Sequence, residues 1–391
     1  MVLTTPRQSI GRTASGLQCG FSLIELMVSL VIGLVILGAL VGMFVNSSGG
    51  NREMARANTL IENGRLALEV LESDVVHAGF WGAHMPGFDD QTITTVPTDA
   101  PTAIPDPCQD YESTPWNAAY RNNVVHLPLQ VYDSNAVCGG IVVNQQANTD
   151  VLVVRHAELC VAGSGGNCEN DINGNLYFQS TRCTAENNAW VLDTNAGSTF
   201  PLTQMDCTAV AEKRKFISDI YYVRDYAVTA GDGIPTLMRS QFALAGGELG
   251  HLPAVAMVEG IEGFRVELGI DNRSKPYTGN PTGSPVNYAA AVSWYDPLTR
   301  TTLTNRGDGS PDGAFVACST GTPCTVAQLE NVTAVKLYVL SRSREASPGY
   351  TDTKTYTLGG TVMGPFNDGF KRHVYVSTIR LPNIAGRRQT P

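Results

Sequence analysis

The sequence predicts an α+β protein, in which a long N-terminal α-helix, membrane-spanning in its first half, packs on an antiparallel β-sheet head with long loop insertions. Three observations predict this fold: an apolar stretch over residues 21–45, a helical repeat of apolar residues that continues to Ala78, and alternating strand patterns beyond it. The chain has 391 residues, of which 43% are hydrophobic. It can therefore bury a core, which excludes a disordered protein.

The charge balance of the chain is acidic. It has 36 acidic residues against 27 Lys and Arg, which gives a formal net charge of -9. No run of basic residues forms the stripe that a protein uses to neutralise a row of phosphates. We therefore expect no nucleic acid as a main partner.

The apolar stretch is long enough to cross a bilayer. Between residues 21 and 45 only Glu25 and two serines are polar, and a helix of this length reaches roughly 37 Å. Arg7 and Arg12 precede the stretch without any acidic residue. The positive-inside rule then keeps the short leader in the cytoplasm and exports the C-terminal bulk of the chain.

A cleaved secretory signal peptide is the competing interpretation of this stretch. The apolar region of such a signal is about 7–15 residues long and ends at a small-x-small cleavage pattern. The stretch observed here is longer and has no such pattern at its end. The small residue lies on the other side, since Gly20 comes directly before the apolar run, and this favours a helix that is retained.

The residues around Gly20 carry a resemblance. Residues 19–26, CGFSLIEL, resemble the class III prepilin signal of type IV pilins and type II secretion pseudopilins. The resemblance implies that a prepilin peptidase cuts after Gly20 and that Phe21 becomes an N-methylphenylalanine. It also implies that Glu25, the acid five residues into the mature chain, aligns an incoming subunit with the growing filament.

Glu25 supports the same role on physical grounds. An ionised carboxylate in an apolar span is costly and is tolerated mainly where it meets a partner. Cleavage after Gly20 creates a charged amine at Phe21, on this subunit and on every neighbour, so we expect the two charges to pair between subunits. Removal of one member of a buried pair costs about 3–5 kcal/mol. A glutamate that reaches towards the membrane interface is the alternative.

Residues beyond the apolar stretch resemble one particular family of pilins. Residues 62–69, ENGRLALE, and residues 78–82, AGFWG, resemble the PilW family of minor pilins. Shorter blocks agree in order at residues 221–224, 237–239, 258–261, 268–271 and 370–375. The resemblance therefore covers most of the chain in scattered blocks and is strongest over the first 82 residues.

We expect four segments along the chain. They are a prepilin leader at residues 1–20, a transmembrane and filament-core helix at 21–45, a soluble half of that helix at 46–79, and a β-rich periplasmic or extracellular head at 80–391. Gly49 and Gly50 predict a kink or a locally melted stretch between the two halves of the helix.

Within the head, alternating apolar residues predict half-buried strands of an antiparallel sheet. The patterns lie at residues 151–154, 220–226, 264–270, 332–340 and 374–381. Proline-rich residues 85–116 and Gly-, Pro-, Ser- and Thr-rich residues 273–325 lack a repeat, so they are expected to be long surface insertions.

The cysteine count suits an oxidising compartment. Of nine cysteines, Cys19 would leave with the leader, and the remaining eight (9 − 1) form an even number. Eight cysteines allow 105 pairings. Short loops favour Cys318 with Cys324 and Cys160 with Cys168, followed by Cys183 with Cys207 and Cys108 with Cys138. The absence of CxxC spacing argues against zinc.

A search for catalytic motifs finds no HExxH, GxxxxGK[ST] or GxSxG pattern, so we expect neither an enzyme nor a cofactor. Residues 305–313 form the one acid- and glycine-rich loop with a calcium-like composition, in which Asp308 and Asp312 are weak ligand candidates. The loop lacks the spacing and terminal Glu of an EF-hand, which favours a plain turn over a metal site.

The first functional hypothesis is a minor pilin near the tip of a type IV pilus, which primes pilus assembly through its N-terminal helix. The resemblance implies as partners the major pilin, other minor pilins, a tip adhesin, the prepilin peptidase and the inner-membrane assembly platform. It places the protein in the bacterial inner membrane as a single-pass protein with a periplasmic head, and after assembly in a surface pilus. Twitching motility, cell adhesion and DNA uptake all stay open as roles of that pilus.

Two alternatives belong to other functional classes. A J-type minor pseudopilin of a type II secretion system would share the leader but serve substrate export. A tip-exposed adhesive or DNA-binding module would use the insertions at residues 85–116 and 273–325 as its binding surface.

Overall fold

The computed structural model describes residues 20–112, 115–133, 138–166, 168–195 and 200–389. The predicted leader, with Arg7, Arg12 and Cys19, therefore lies outside the described residues apart from Gly20. The chain divides between Ala55 and Arg56 into two compact units.

The N-terminal unit contains the first part of helix α1, which spans Leu23–Val75. By length and composition this is one helix in the described chain that could cross a membrane. The melted stretch predicted at Gly49 and Gly50 is not observed, because both residues are helical. Each glycine destabilises a helix by about 1 kcal/mol relative to alanine, and the helical turns on either side of the pair offset this cost.

The second unit is the head, and it is built mainly from antiparallel strands. Its other helices are α2 (Ala118–His126), α3 (Val326–Leu329) and α4 (Pro382–Arg388). The strands are β1 (Leu129–Tyr132), β2 (Val151–Ala157), β3 (Leu176–Ser180), β4 (Trp190–Thr194), β5 (Lys213–Arg224), β6 (Thr236–Ala245), β7 (Glu248–His251), β8 (Val255–Glu259), β9 (Ile261–Ile270), β10 (Val332–Arg342), β11 (Tyr356–Leu358), β12 (Thr361–Met363) and β13 (Arg372–Arg380).

These strands form two main sheets and one hairpin. The larger sheet has the order β1-β2-β5-β3-β4, and β6 pairs with β5, β7 and β8. The smaller sheet has the order β13-β10-β9, and β11 pairs with β12. The α+β class predicted from the sequence is thus confirmed, with each of the five predicted strands present and the two insertions free of named helices and strands in the part that the structure describes.

The C-terminal part of α1 lies in the core of the head. Its buried residues, Leu60, Gly64, Ala67, Leu71 and Val75, recur every three or four positions and so share one face of the helix. This face contacts a single apolar cluster that draws residues from both sheets. The helical period seen in the sequence thus matches the spacing of these buried residues.

Gly64 allows a close approach between α1 and β13. A Cβ atom at this position would overlap the aromatic ring of Tyr375. The ring consequently lies directly against the helix backbone, which is the kind of contact for which a glycine is required. A sequence pattern cannot reveal this requirement, because Gly64 and Tyr375 are far apart along the chain.

A buried arginine joins three acidic residues at the start of β13. The Arg372 side chain has 0% exposure, and its Nη1 atom lies 2.9 Å from Asp352 Oδ2 and 2.7 Å from Asp368 Oδ1. Its Nε atom also donates to Glu262. Since a buried charge is stable only when it is paired and hydrogen-bonded, this cluster fixes the loops that precede β13.

Four disulfides tie down the loops of the head. They join Cys108 to Cys138, Cys160 to Cys168, Cys183 to Cys207, and Cys318 to Cys324. Each bond closes a loop of 6 to 30 residues and so limits the freedom of an insertion that has little secondary structure.

We predict that Gly64→Ala destabilises the head by about 1–3 kcal/mol, because the added methyl group displaces the Tyr375 ring from a packed position. Urea unfolding of the full chain in detergent, followed by tryptophan fluorescence, measures the change. Gly49→Ala is the matched control: it also adds a methyl group to a helical glycine, but nothing lies within 4 Å of the new Cβ. Equal transitions for the two variants would contradict the prediction.

Candidate functional site

The segment from Gly20 to the first turn of α1 is the candidate processing site. Gly20 and Phe21 precede the helix and are exposed, and Phe21 has 85% of its surface accessible. Among the described residues, and apart from its chain neighbours, no atom lies within 4 Å of a Cβ placed on Gly20. The peptide bond between the two residues is thus open to an enzyme that must reach the backbone.

The first turn of α1 is closed by a reciprocal pair of hydrogen bonds between Ser22 and Glu25. The Ser22 N–H donates to Glu25 Oε2 at 3.0 Å, and the Glu25 N–H donates to Ser22 Oγ at 3.2 Å. This is a capping box, which satisfies two amides that a helix start leaves without partners. This second role of Glu25 was not predicted from the sequence, although a Ser followed three residues later by Glu is the usual signature of a capping box.

The surface of α1 between residues 21 and 45 is apolar on all sides. Its large apolar side chains are between 53% and 85% exposed. Glu25 is the one charged residue in this part of the helix. Such a surface is stable in lipid or against other apolar helices.

The acidic loop at residues 305–313 is organised by protein groups. Asp308 Oδ1 accepts from the Ser310 N–H at 2.9 Å, and Asp312 Oδ2 accepts from the Arg273 N–H at 2.7 Å. The buried Asp271 carboxylate holds the loop backbone, since it accepts from the amides of Asp308 and Gly309. No group of three or more potential ligands is arranged for a metal ion within the described residues. The preference for a plain turn over a calcium site at Asp308 and Asp312 stays a prediction.

Two known protein families match this chain, one in the head and one at the N-terminus. Residues 220–383 match the family described as type IV pilus-assembly protein W, PilW, and residues 16–41 match the prokaryotic N-terminal methylation motif. The chain therefore carries a PilW domain and a prepilin-type methylation motif. A methylation motif of this kind implies processing by a prepilin peptidase and assembly with other pilins.

Among solved structures, the chain is similar to a type IV-like pilin from Thermus thermophilus. It has 14% sequence identity and a TM-score of 0.30, and the similarity covers 83% of this chain and 98% of that chain. This score is too low to establish a common fold, so the assignment rests on the two family matches. No curated protein gives a significant match.

The two family matches fall on separate parts of the chain. The methylation motif includes Gly20, Phe21 and Glu25, together with most of the exposed apolar helix. The PilW match begins within β5 and ends at the start of α4, so it contains the whole of the smaller sheet and the buried Arg372 cluster. The arrangement therefore joins a prepilin-type N-terminus to a PilW head.

The last turn of α1 is attached to this head by an ion pair between Asp74 and His156. His156 Nε2 lies 2.8 Å from Asp74 Oδ1, and His156 Nδ1 lies 2.8 Å from the Ala157 carbonyl oxygen. Both partners are acceptors, so both ring nitrogens must donate and the imidazole is protonated. Burial opposes this charge, but the hydrogen bond and the charge of Asp74 outweigh burial and raise the pKa of His156 above 6.5.

A second acid lies beside this pair. Asp219 on β5 has only 3% exposure, and burial, reinforced by the Asp74 carboxylate, raises its pKa to about 7. Arg239 on β6 lies 3.8 Å from Asp219 and partly offsets that effect. The end of α1 is thus held by a small set of opposite charges whose balance depends on pH.

We predict that the His156–Asp74 pair stabilises the head more at about pH 5.5 than at about pH 9. The pKa of His156 is higher in the folded state than in the unfolded state, so its contribution is complete below the unfolded value and is lost as the pH rises through the folded value. The unfolding free energies of the wild type and His156→Asn, compared at both pH values, should differ more at the lower pH.

His373→Asn is the matched control for this measurement, because it alters an exposed histidine on β13. Its difference from the wild type is expected to be small and independent of pH. A larger loss for His156→Asn at the higher pH than at the lower one would show that the imidazole is neutral in the folded protein.

Proposed function

We propose that this chain is a minor pilin of a type IV pilus, lies near the pilus tip and primes assembly through its N-terminal helix. The observation that carries the proposal is the union of a prepilin-type start, an apolar helix exposed on all sides and a PilW head in one chain. An exposed apolar helix of this kind needs lipid or other helices around it. Before assembly the bilayer supplies that environment, and in a filament neighbouring pilin helices supply it.

Glu25 is the residue that turns this helix into an ordered assembly element. One of its oxygens accepts from the Ser22 N–H, and a carboxylate can accept several further hydrogen bonds. Cleavage after Gly20 gives Phe21 a charged amine, which on a neighbouring subunit is the natural partner for Glu25. The pair fixes the axial position of an incoming subunit, since either charge alone in an apolar environment is unfavourable.

The partners and the location follow from this assignment. A prepilin peptidase removes the leader, the inner-membrane platform accepts the processed chain, and the major pilin, the other minor pilins and a tip adhesin are its neighbours in the filament. The basic residues Arg7 and Arg12 of the leader support a cytoplasmic N-terminus and a periplasmic head. The four disulfides are in keeping with that oxidising location.

We predict that the mature protein begins at a methylated Phe21 and that Gly20→Val prevents this cleavage. Since the surroundings of Gly20 are open, the substitution disturbs enzyme access and not the packing of the chain itself. N-terminal peptide mass spectrometry of membranes and sheared fibres from the native host measures the outcome. Gly42→Ala, at a helical glycine with equally open surroundings, is the control and should be cut normally. A wild-type chain that begins at Met1 would refute the processing step.

We predict that Glu25→Gln is processed normally but enters sheared fibres less than the wild type by more than about tenfold, because the inter-subunit ion pair is lost. Glutamine still supports a capping box, so the substitution separates the charge of Glu25 from its role in capping the helix. Glu69→Gln, at an exposed acid of the same helix, is the control.

Quantitative immunoblots of the fibre and membrane fractions measure this effect. Normal incorporation of Glu25→Gln would contradict the alignment role. Processed wild-type protein that is found in membranes and never in fibres would favour the type II pseudopilin instead.

A further inference from the structure

Strand β13 forms an open edge of the smaller sheet. It pairs with β10 along its whole length, and no other strand pairs with it among the described residues. At the opposite edge of the sheet, β9 is covered, since Leu268 exchanges backbone hydrogen bonds with Val316 and the Phe264 carbonyl accepts from the Asp150 N–H. An open edge of nine residues presents a row of free backbone donors and acceptors to another chain.

The hydrogen bonds at the two ends of β13 show which backbone groups are free. The Leu381 N–H donates to the Thr333 carbonyl oxygen at 2.9 Å, and the Ser343 N–H donates to the Lys371 carbonyl oxygen at 2.8 Å. In an antiparallel pair the bonded residues alternate. The odd-numbered residues of β13 therefore bond to β10, and the backbone groups of residues 374, 376, 378 and 380 point outwards.

A groove of about 430 Å³ lies beside this edge, between β13 and the C-terminal part of α1. The α1 side of the groove carries Ala57, Leu60, Ile61 and Arg65, and the other side carries Tyr350, Lys354, Lys371, Arg372, His373 and Tyr375. The Tyr375 hydroxyl is buried and has no hydrogen-bond partner among the described residues. An unsatisfied buried hydroxyl in a groove is a place where a ligand can supply the missing bond.

The charge of the groove is one-sided. Its lining contains basic side chains and no Asp or Glu, in a chain whose net charge is -9 and which has few lysines. The charge of Arg372 is already balanced by Glu262, Asp352 and Asp368. Arg65 and Lys354 are further basic side chains in the lining of the groove, so an acidic occupant is complementary to it.

We propose that the β13 edge and this groove bind an acidic, extended segment of a partner subunit, which adds to the smaller sheet as a further strand. The outward backbone groups of residues 374–380 supply main-chain hydrogen bonds, as in other cases of strand addition. Alternate side chains of the added strand face the groove, where acidic groups meet Arg65 and Lys354. A phosphate or a lipid headgroup could use the cations but not the row of amides.

This interaction surface is separate from the apolar N-terminal helix and does not depend on filament incorporation. Its test uses the full processed chain in detergent micelles and a fluorescent, nine-residue peptide of alternating glutamate and valine, which matches β13 in length. A lysine–valine peptide of equal length is the charge-reversed control. We expect fluorescence anisotropy to show binding of the glutamate peptide, weakened by salt, and no comparable binding of the lysine peptide.

Val376→Pro tests the role of the backbone. Proline removes the outward N–H of residue 376, which does not bond to β10, and its ring blocks the approach of another strand. Val376→Ala keeps that amide and is the matched control. We expect Val376→Pro to weaken peptide binding by at least about tenfold, Val376→Ala to retain it, and Lys354→Glu to weaken it severalfold.

Amide hydrogen exchange of the wild type keeps the proposal testable if Val376→Pro fails to fold. Bound peptide should slow exchange at residues 374, 376, 378 and 380, whereas the odd-numbered residues already bond to β10 and should change little. Equal affinity of the proline and alanine variants, or equal binding of both peptides, would overturn the proposal. It would also be overturned by binding of anionic vesicles or a single-stranded oligonucleotide without any binding of the peptide.

Discussion

The packing of one face of α1 against both sheets is the interaction on which the head depends. The two sheets share no strand pairing in the described residues, and one apolar cluster with Ala67, Leu71 and Val75 at its centre joins them. Polar contacts fix the helix at both ends of this face: Ser341 Oγ donates to the Leu60 carbonyl oxygen at 3.0 Å, and Asp74 binds His156. Hydrophobic burial supplies the driving force, and these contacts select one rotation and one axial position.

Much of this arrangement could be predicted from local patterns, because the buried faces of α1 and of strands such as β9 and β10 follow the periods of helix and strand. Strand β3 was not predicted from the sequence. All five of its residues are buried, so no apolar and polar alternation marks it, and the buried Gln179 interrupts the apolar run. The Gln179 amide is satisfied by three carbonyl oxygens from other segments. Contacts of this kind, like those of Gly64 with Tyr375, join distant parts of the chain and leave no local signal.

The chain has few charged residues, and two of its buried arginines each bind several polar partners. Arg372 binds three acidic side chains, and Arg388 on α4 binds Asp89 at 2.9 Å and Asn331 at 2.8 Å. Each arginine holds several loops together through its rigid, planar group of donors. Arg388 also contributes to the order of the calcium-like loop at residues 305–313. It contacts Asp271, whose carboxylate accepts hydrogen bonds from the backbone of that loop.

The apolar helix and the β13 edge offer a partner two different kinds of contact. Apolar side chains on residues 21–45 pack without strong directional preference, so on their own they accept the similar helix of any pilin. In its proposed alignment role, Glu25 would set an axial position without selecting one partner, because the amine that it would pair with is common to every processed subunit. A strand edge with a fixed register and a one-sided charge discriminates between partners, since a wrong register or a basic strand leaves donors and charges unpaired. A subunit with a defined place in a filament requires both kinds of contact, the first for entry and the second for the choice of neighbour.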